Sequence, residues 1–245
     1  MIEWKLRGYV TPEDMGGDVQ AALNKAEELD IRKVVLRGNY SCGTLVIPAF
    51  THMVLEGTLK ADLCSKKVCN YSFEQNRFFI QGGKVEGNLY FYNCRRVTME
   101  DVEVTGSVTY EFSRDLRMER CNVHGSVQVG RGCANGIFQN ITTGSFHISN
   151  HVFCGDIVPA KDPTIQNILL RDSVMTEGSV HLLACEECGM MNIQADHITA
   201  PDTAVVINKV GQFVPKERYL NLTLTDLNAP ITVSSTNPIK HGYIV

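Results

Sequence analysis

The chain has 245 residues, of which 44% are hydrophobic and 20% are charged, and its formal net charge is −4. This composition predicts a single domain over residues 1–245, and the lack of any Lys/Arg run argues against nucleic acid as a partner. No apolar window is long enough to span a bilayer, so we expect no membrane partner. Nine cysteines without a paired spacing and a start without an apolar signal core favour a cytoplasmic protein, or a secreted one if a leader was removed.

The first predicted element is a short amphipathic helix over residues 18–29. Its apolar side chains fall on one helical face, and Asp18 is a suitable N-cap. A helix in this position would cover the open end of a stack of strands and protect its edge. Three strand-like segments follow, at 33–36, 44–47 and 53–55.

Glycines then recur at intervals of 19 residues, at Gly87, Gly106, Gly125 and Gly144. After each glycine the second and fourth residues are apolar and the third is mostly polar, which is the period-2 alternation of a half-buried strand. The apolar pairs are Leu89/Phe91, Val108/Tyr110, Val127/Val129 and Phe146/Ile148. A further unit follows Gly178 after 34 residues, which predicts an inserted loop at 150–163.

Each unit also contains a second apolar segment, a polar corner and a third apolar pair. The corner residues are Asp101, Arg120, Asn140, Asp172, Asp196 and Asp226. A 19-residue extended path is about 60 Å long, so it must wind around a core and stack on the preceding coil at ~4.8 Å. We expect the glycines to supply positive φ angles and the polar corners to stack as a ladder. The fold class is therefore all-β: a right-handed, single-stranded parallel β-helix of about eight coils with an N-terminal capping α-helix.

The stretch 18–61 combines a capping helix, a buried strand that ends in Gly38-Asn39-Tyr40, a second strand at 42–48 and the segment 53–59. In this order it resembles the pectin-lyase-like superfamily, and it is most similar to bacterial polygalacturonase-type glycoside hydrolases. The resemblance covers about a fifth of the chain. It implies a β-helix with a groove on one parallel sheet that binds acidic or neutral polysaccharide.

The catalytic motifs of that family are missing from this sequence. The chain has no Asp-Asp pair, and neither His124-Gly125 nor His241-Gly242 has carboxylate partners nearby in sequence. The clustered calcium-binding carboxylates of the lyase branch are missing as well. No catalytic residue is therefore carried over from the family.

Stacked coils turn equivalent sequence positions into spatial columns, and the outward column of the strand after each glycine is the best candidate for a site. Position three of that strand gives Tyr90, Thr109, Gln128, His147 and His181, and position five gives Tyr92, Glu111, Gly130, Ser149 and Leu183. Aromatic rings stack on sugar faces, while amides and imidazoles bind hydroxyl groups. The predicted substrate-binding residues are Tyr90, Tyr92, Gln128 and Arg131, with a carbohydrate as the ligand.

The catalytic candidates are Glu111, His147, His181 and Asp156. Inverting hydrolysis needs two carboxyl groups ~6.5–9.5 Å apart, which Glu111 and Asp156 would supply if the inserted loop folds over the strand. Lyase chemistry needs a base instead, for which His147, His181 or Tyr90 would serve.

We predict no metal and no cofactor, because the Cys185-Glu186-Glu187-Cys188 segment lacks the second cysteine pair that zinc would need. Two functions remain open on the sequence. One is a glycoside hydrolase or polysaccharide lyase that acts on oligo- or polysaccharide. The other is a catalytically silent carbohydrate-binding or scaffold β-helix, which could form a homo-oligomer.

Overall fold

A computed structural model of the protein describes residues 6–65, 77–149, 164–184, 189–209, 219–233 and 243–244. After a short 3-10 helix, Pro12–Met15, comes one α-helix, Val19–Glu28, close to the bounds that the sequence predicts. The Asp18 carboxylate caps this helix by accepting a hydrogen bond from Ala21 N at 2.9 Å. No helix among the described residues is long and apolar enough to cross a membrane.

Every described strand pairing is parallel, and the pairings fall into three series, which we call faces A, B and C. Face A consists of β1 Lys33–Leu36, β4 Thr51–Leu55, β7 Phe78–Gln81, β10 Val97–Glu100, β13 Arg114–Glu119, β15 Ala134–Gln139, β17 Ile165–Met175, β19 Met190–Thr199, β21 Tyr219–Leu227 and β23 Tyr243–Ile244.

Face B is built from short strands and from parts of longer ones. It consists of β2 Tyr40–Ser41, β5 Thr58–Lys60, β8 Lys84–Val85, β11 Glu103–Val104, the first parts of β14 Asn122–Val129 and β16 Thr142–Ser149, and the last residues of β17, β19 and β21.

Face C completes each coil. It consists of β3 Leu45–Ile47, β6 Leu63–Ser65, β9 Leu89–Tyr92, β12 Val108–Glu111, the second parts of β14 and β16, β18 Val180–Ala184, β20 Val205–Lys209 and β22 Ile231–Val233. The chain passes through A, B and C in turn, so the protein is an all-β parallel solenoid.

The pairing register on face C confirms the repeat that the glycine spacing predicts. Leu89 pairs with Val108, which pairs with Val127, and each partner lies 19 residues along the chain. After Phe146 the next partner is Val180, 34 residues on. The inserted segment 150–163 lies outside the described residues.

Inward-facing apolar side chains fill the interior between the faces. Aromatic rings from successive coils contact one another: Phe91 and Tyr110 stack with ring centroids 5.3 Å apart, and Phe138 meets Phe146 edge-on at 5.0 Å. All four side chains are fully buried, and burying a ring of this size stabilises the fold by about 2–3 kcal/mol. The helix joins this core through Val19, Ala22, Leu23 and Ala26.

The helix also protects the outer edge of face C. The Gln20 amide donates to Val46 O at 2.9 Å and accepts from Val46 N at 2.8 Å. A side-chain amide thus replaces the backbone partner that β3 lacks on this side, which blocks the pairing of another strand there.

The glycine corners between faces B and C do not have the positive φ angles that we expected from the sequence. They are needed because successive coils approach each other closely. A Cβ on Gly106 would lie 2.4 Å from Gly87 O, and one on Gly125 would lie 2.7 Å from Gly106 O. The same residues are joined by backbone hydrogen bonds, with Gly106 N donating to Gly87 O at 3.1 Å.

Positive φ angles occur instead at the corner between faces A and B. The residues there are Asp101, Arg120, Asn140, Asp172, His197 and Asp226. They form the ladder that the sequence predicts, except that His197 takes the place assigned to Asp196. Asp196 is instead the last residue of β19 before this corner that pairs with its neighbouring strands, opposite Arg171 of β17 and Thr225 of β21.

A second ladder of left-handed residues near the start of face A was not predicted. Its members are Asp115, Asn135, Asn167, Asn192 and Asn221. Each amide donates to the residue one coil before it, as from Asn192 Nδ2 to Asn167 Oδ1 at 2.8 Å. Asparagine suits this position because it tolerates positive φ and carries both a donor and an acceptor.

The close contact at the glycine corners gives a direct stability prediction. Gly106→Ala would force a methyl group against the carbonyl of the neighbouring coil, and we expect it to lower the free energy of unfolding by about 1–3 kcal/mol. Gly43→Ala is the matched control, because Gly43 has an ordinary φ and open space around its Cα. Urea denaturation of both variants tests this, and equal stabilities would contradict the close-contact explanation.

Candidate functional site

The third positions of the face C strands form a continuous outward column, as the sequence predicts. Tyr90, Thr109, Gln128, His147 and His181 pair in that order, one residue per coil. We call these five residues the face C strip. All five side chains are half-buried, and the strip extends about 19 Å at ~4.8 Å per coil.

Hydrogen bonds fix the middle of the strip. Thr109 donates its hydroxyl proton to Gln128 Oε1 at 3.0 Å, and Gln128 Nε2 donates to Ser126 Oγ at 2.9 Å. Ser126 Oγ in turn lies 3.3 Å from Ser107 Oγ. The Gln128 amide is therefore held in one orientation before any ligand arrives.

The two histidines of the strip are stacked on each other. The ring centroids of His147 and His181 lie 4.6 Å apart and the planes differ by 4°. His147 Nε2 lies 2.8 Å from Ser145 Oγ. Burial, together with the neighbouring His181, lowers the pKa of His147 to about 4, and burial also lowers the pKa of His181. His147 is therefore a neutral imidazole at pH 7.

The position-five residues behave differently from the prediction, which put them on an outward face. Glu111 is 0% exposed and Tyr92 is 8% exposed. The inside–outside alternation breaks at the end of each strand, because Phe91 and Tyr92 are buried in succession, as are Tyr110 and Glu111. The chain turns after β9 and β12, with positive φ at Asn93 and at Phe112, so the last side chain of each of these two strands lies next to the turn.

Glu111 nevertheless contacts the strip at Tyr90. Tyr90 Oη donates to Glu111 Oε2 at 2.6 Å, across neighbouring coils. The Tyr92 ring lies 6.4 Å from the Tyr90 ring, centroid to centroid, and meets Phe112 edge-on at 5.5 Å. The structure thus brings three of the predicted site residues, Tyr90, Tyr92 and Glu111, together at one end of the strip.

Arg131 lies beyond the strip, at the corner where face C ends. It is half-buried, and its carbonyl accepts a hydrogen bond from Phe112 N at 2.8 Å. Asp156, the second predicted carboxylate, lies outside the described residues, as does the Cys185–Cys188 segment.

One group of ligand-type side chains was not foreseen from the sequence. Asp196, His197 and Asp226 bring their ligand atoms within 4.8 Å of one another at the corner between faces A and B. The two ring nitrogens of His197 each lie 3.4 Å from a carboxylate oxygen, one of Asp196 and one of Asp226. These contacts make the group a ladder of polar side chains at the same corner as the Arg120–Asp101 pair.

Comparisons with known proteins do not assign this chain to a family. No protein-family model matches the chain, and no curated protein or solved structure is significantly similar to it.

The lowered pKa of His147 predicts a pH dependence of stability. Between pH 6.5 and 4 the unfolded chain takes up a proton at this imidazole that the folded protein does not, so stability falls as pH falls through that range. We expect His147→Gln to reduce this loss by on the order of 1–2 kcal/mol, allowing for partial solvent screening. Denaturation at a series of pH values measures it.

Gln194→Ala, an exposed substitution on the outward side of face A, is the control for that series and should leave the pH dependence as in the parent. A His147→Gln variant with the parent's full loss of stability would show that this imidazole is not neutral in the fold.

Proposed function

We propose that the face C strip binds carbohydrate. The observation that carries the proposal is the straight column of five half-buried side chains, one phenol, one hydroxyl, one amide and two imidazoles, on successive coils. Such side chains match a polymer whose hydroxyl groups recur at a regular spacing, and about 19 Å of strip accommodates several sugar units. Little conformational freedom is lost on binding, because the strip is already held by its own hydrogen bonds.

The histidine pair has a specific part in this proposal. The two rings stack along the column, so their faces are turned towards each other and their edges are left for a ligand. A neutral imidazole has one N–H donor and one acceptor nitrogen, which suits a sugar hydroxyl that does both. Tyr90, by contrast, offers a ring of which part remains exposed, for packing against a sugar.

We also propose a handedness and a superfamily relationship for the fold. We propose a right-handed solenoid in one domain, because crossover connections between parallel strands are almost always right-handed. The nine described strands of face C correspond to about nine coils rather than the eight that the sequence predicts. The order of helix, strands and turns over residues 18–61 supports a relationship to the pectin-lyase-like superfamily. Fold alone does not dictate function, so the binding proposal rests on the side chains of the face C strip.

A polysaccharide lyase is the second candidate, because the half-buried His147 on the outward strip is an imidazole that could serve as its general base. An imidazole that is unprotonated at pH 7 can remove a proton from a sugar carbon as a general base. Hydrolysis by two carboxyl groups has less support, because Glu111 is fully buried. Release of unsaturated sugar ends, lost in His147→Ala, would establish cleavage by elimination; binding without product would leave the strip a binding site.

Affinity electrophoresis through gels that contain different polysaccharides tests the binding proposal. We expect at least one polymer to retard the protein, and His147→Ala or Gln128→Ala to weaken the interaction by about tenfold, because each removes hydrogen bonds from the centre of the strip. Ile137→Ala, on the exposed outward side of face A, is the control and should bind as the parent does. Parent and strip variants with the same mobility in every gel would contradict the proposal.

A further inference from the structure

Serines accompany the face C strip along most of its length. Four of the five strip residues have a serine two positions before them in the chain; these serines are Ser107, Ser126, Ser145 and Ser179. Residues two apart in an extended segment project from the same side, so each serine neighbours the strip residue that follows it. Of these four described pairs, only Ser145 and His147 place a hydroxyl oxygen within hydrogen-bond distance of a ring nitrogen.

The contact between Ser145 and His147 is that of a nucleophile with its base. Ser145 Oγ lies 2.8 Å from His147 Nε2, within the ~2.6–3.2 Å that joins a catalytic hydroxyl to the group that takes its proton. In the tautomer that carries its proton on Nδ1, the imidazole accepts the Ser145 proton at Nε2. Both side chains are half-buried, so both remain open to a ligand on the strip.

The imidazole is held in place from the next coil. His181 pairs in register with His147, and the two rings stack 4.6 Å apart with their planes at 4°. This stack fixes the plane of the His147 ring and keeps its Nε2 edge turned towards Ser145. Burial also keeps the imidazole unprotonated at pH 7, so that its lone pair is available to a proton.

An amide donor lies on the coil before this pair. One N–H of the Gln128 amide goes to Ser126 Oγ at 2.9 Å, and the second N–H has no partner within the described part of the chain. Ser126 and Ser145 pair in register, so this amide is one coil, ~4.8 Å, from the position of the hydroxyl. Side-chain amides of this kind stabilise the negative oxygen that forms when a hydroxyl attacks a carbonyl.

We propose that Ser145 and His147 hydrolyse acyl esters, such as O-acetyl groups, on the sugars that the strip binds. The inference rests on carbohydrate binding at the same strip, which would bring an acylated sugar hydroxyl to Ser145. A hydroxyl, a base at 2.8 Å and an amide donor on the neighbouring coil are the groups that acyl transfer needs.

The two half-reactions balance without any further reagent than water. Ser145 Oγ attacks the ester carbonyl carbon while His147 Nε2 takes the hydroxyl proton, and the sugar oxygen then leaves with that proton. The acyl group stays on Ser145. Water attacks it, passes a proton through His147 back to Ser145 Oγ, and releases the carboxylic acid. The net change is one ester and one water to one sugar hydroxyl and one acid.

A fluorophosphonate probe tests the pair without any sugar. An activated serine attacks its phosphorus atom, and fluoride leaves. We expect peptide mass spectrometry to find the label on Ser145, and His147→Gln to slow labelling by about a hundredfold, because the base is lost. Ser179→Ala is the matched control: Ser179 also stands two residues before a strip histidine, and its loss should leave the labelling rate of Ser145 unchanged.

Partially acetylated xylan and glucomannan test the substrate class. We expect the parent and Ser179→Ala to release acetate, and Ser145→Ala to release it at least about a hundredfold more slowly. Ser145→Ala should still be retarded in gels that contain a polymer that retards the parent, which shows that the variant is folded and that the strip still binds.

Two failures are distinguishable. Retardation of the parent by a polymer, with no label on Ser145 and no acetate released, would overturn this inference and leave carbohydrate binding standing. Acetate release by Ser145→Ala at the parent's rate would overturn it as well. Failure of every polymer, acetylated or not, to retard the parent would overturn the proposed function and the sugar ester together.

Discussion

In-register parallel hydrogen bonding between successive coils is the interaction on which every other feature of this protein depends. Each residue of a coil lies above the residue that occupies the same place in the coil before, and most of these offsets are 19 residues in the middle of the chain. At the glycine corner the backbones touch, with Gly125 N donating to Gly106 O at 3.0 Å. A side chain larger than hydrogen there would separate the coils and break the pairing around it.

The same stacking gives each kind of side chain a column of its own. Inward columns collect aromatic and aliphatic groups into a continuous core, and exposed columns collect groups that bind one another, such as the asparagine ladder on face A. Opposite charges pair across coils at the corner between faces A and B for the same reason, as Arg120 Nε donates to Asp101 Oδ1 at 2.7 Å. In the face C strip the polar groups also bind one another, as Thr109 binds Gln128, and the two imidazole rings stack.

The stacking of the coils and the order of the strands could be predicted from the sequence, because glycines and apolar residues recur at a fixed spacing. The positions of the strip residues follow from the alternation of inward and outward side chains along a strand. Gln128, His147 and His181 lie where that alternation predicts. The burial of Glu111 could not be predicted, because it depends on how the strand bends into the corner. The displacement of the polar corner from Asp196 to His197 is a one-residue effect of the same kind, and sequence alone does not fix where a turn adopts positive φ.

The stacked, in-register backbone is tested most directly by nuclear Overhauser effects between backbone protons in a deuterated, isotope-labelled sample. The account predicts contacts from Thr109 to both Tyr90 and Gln128, and from His147 to both Gln128 and His181, in the pattern of parallel strands. Contacts between adjacent antiparallel segments, or sequential amide contacts typical of helix across residues 88–149, would contradict it.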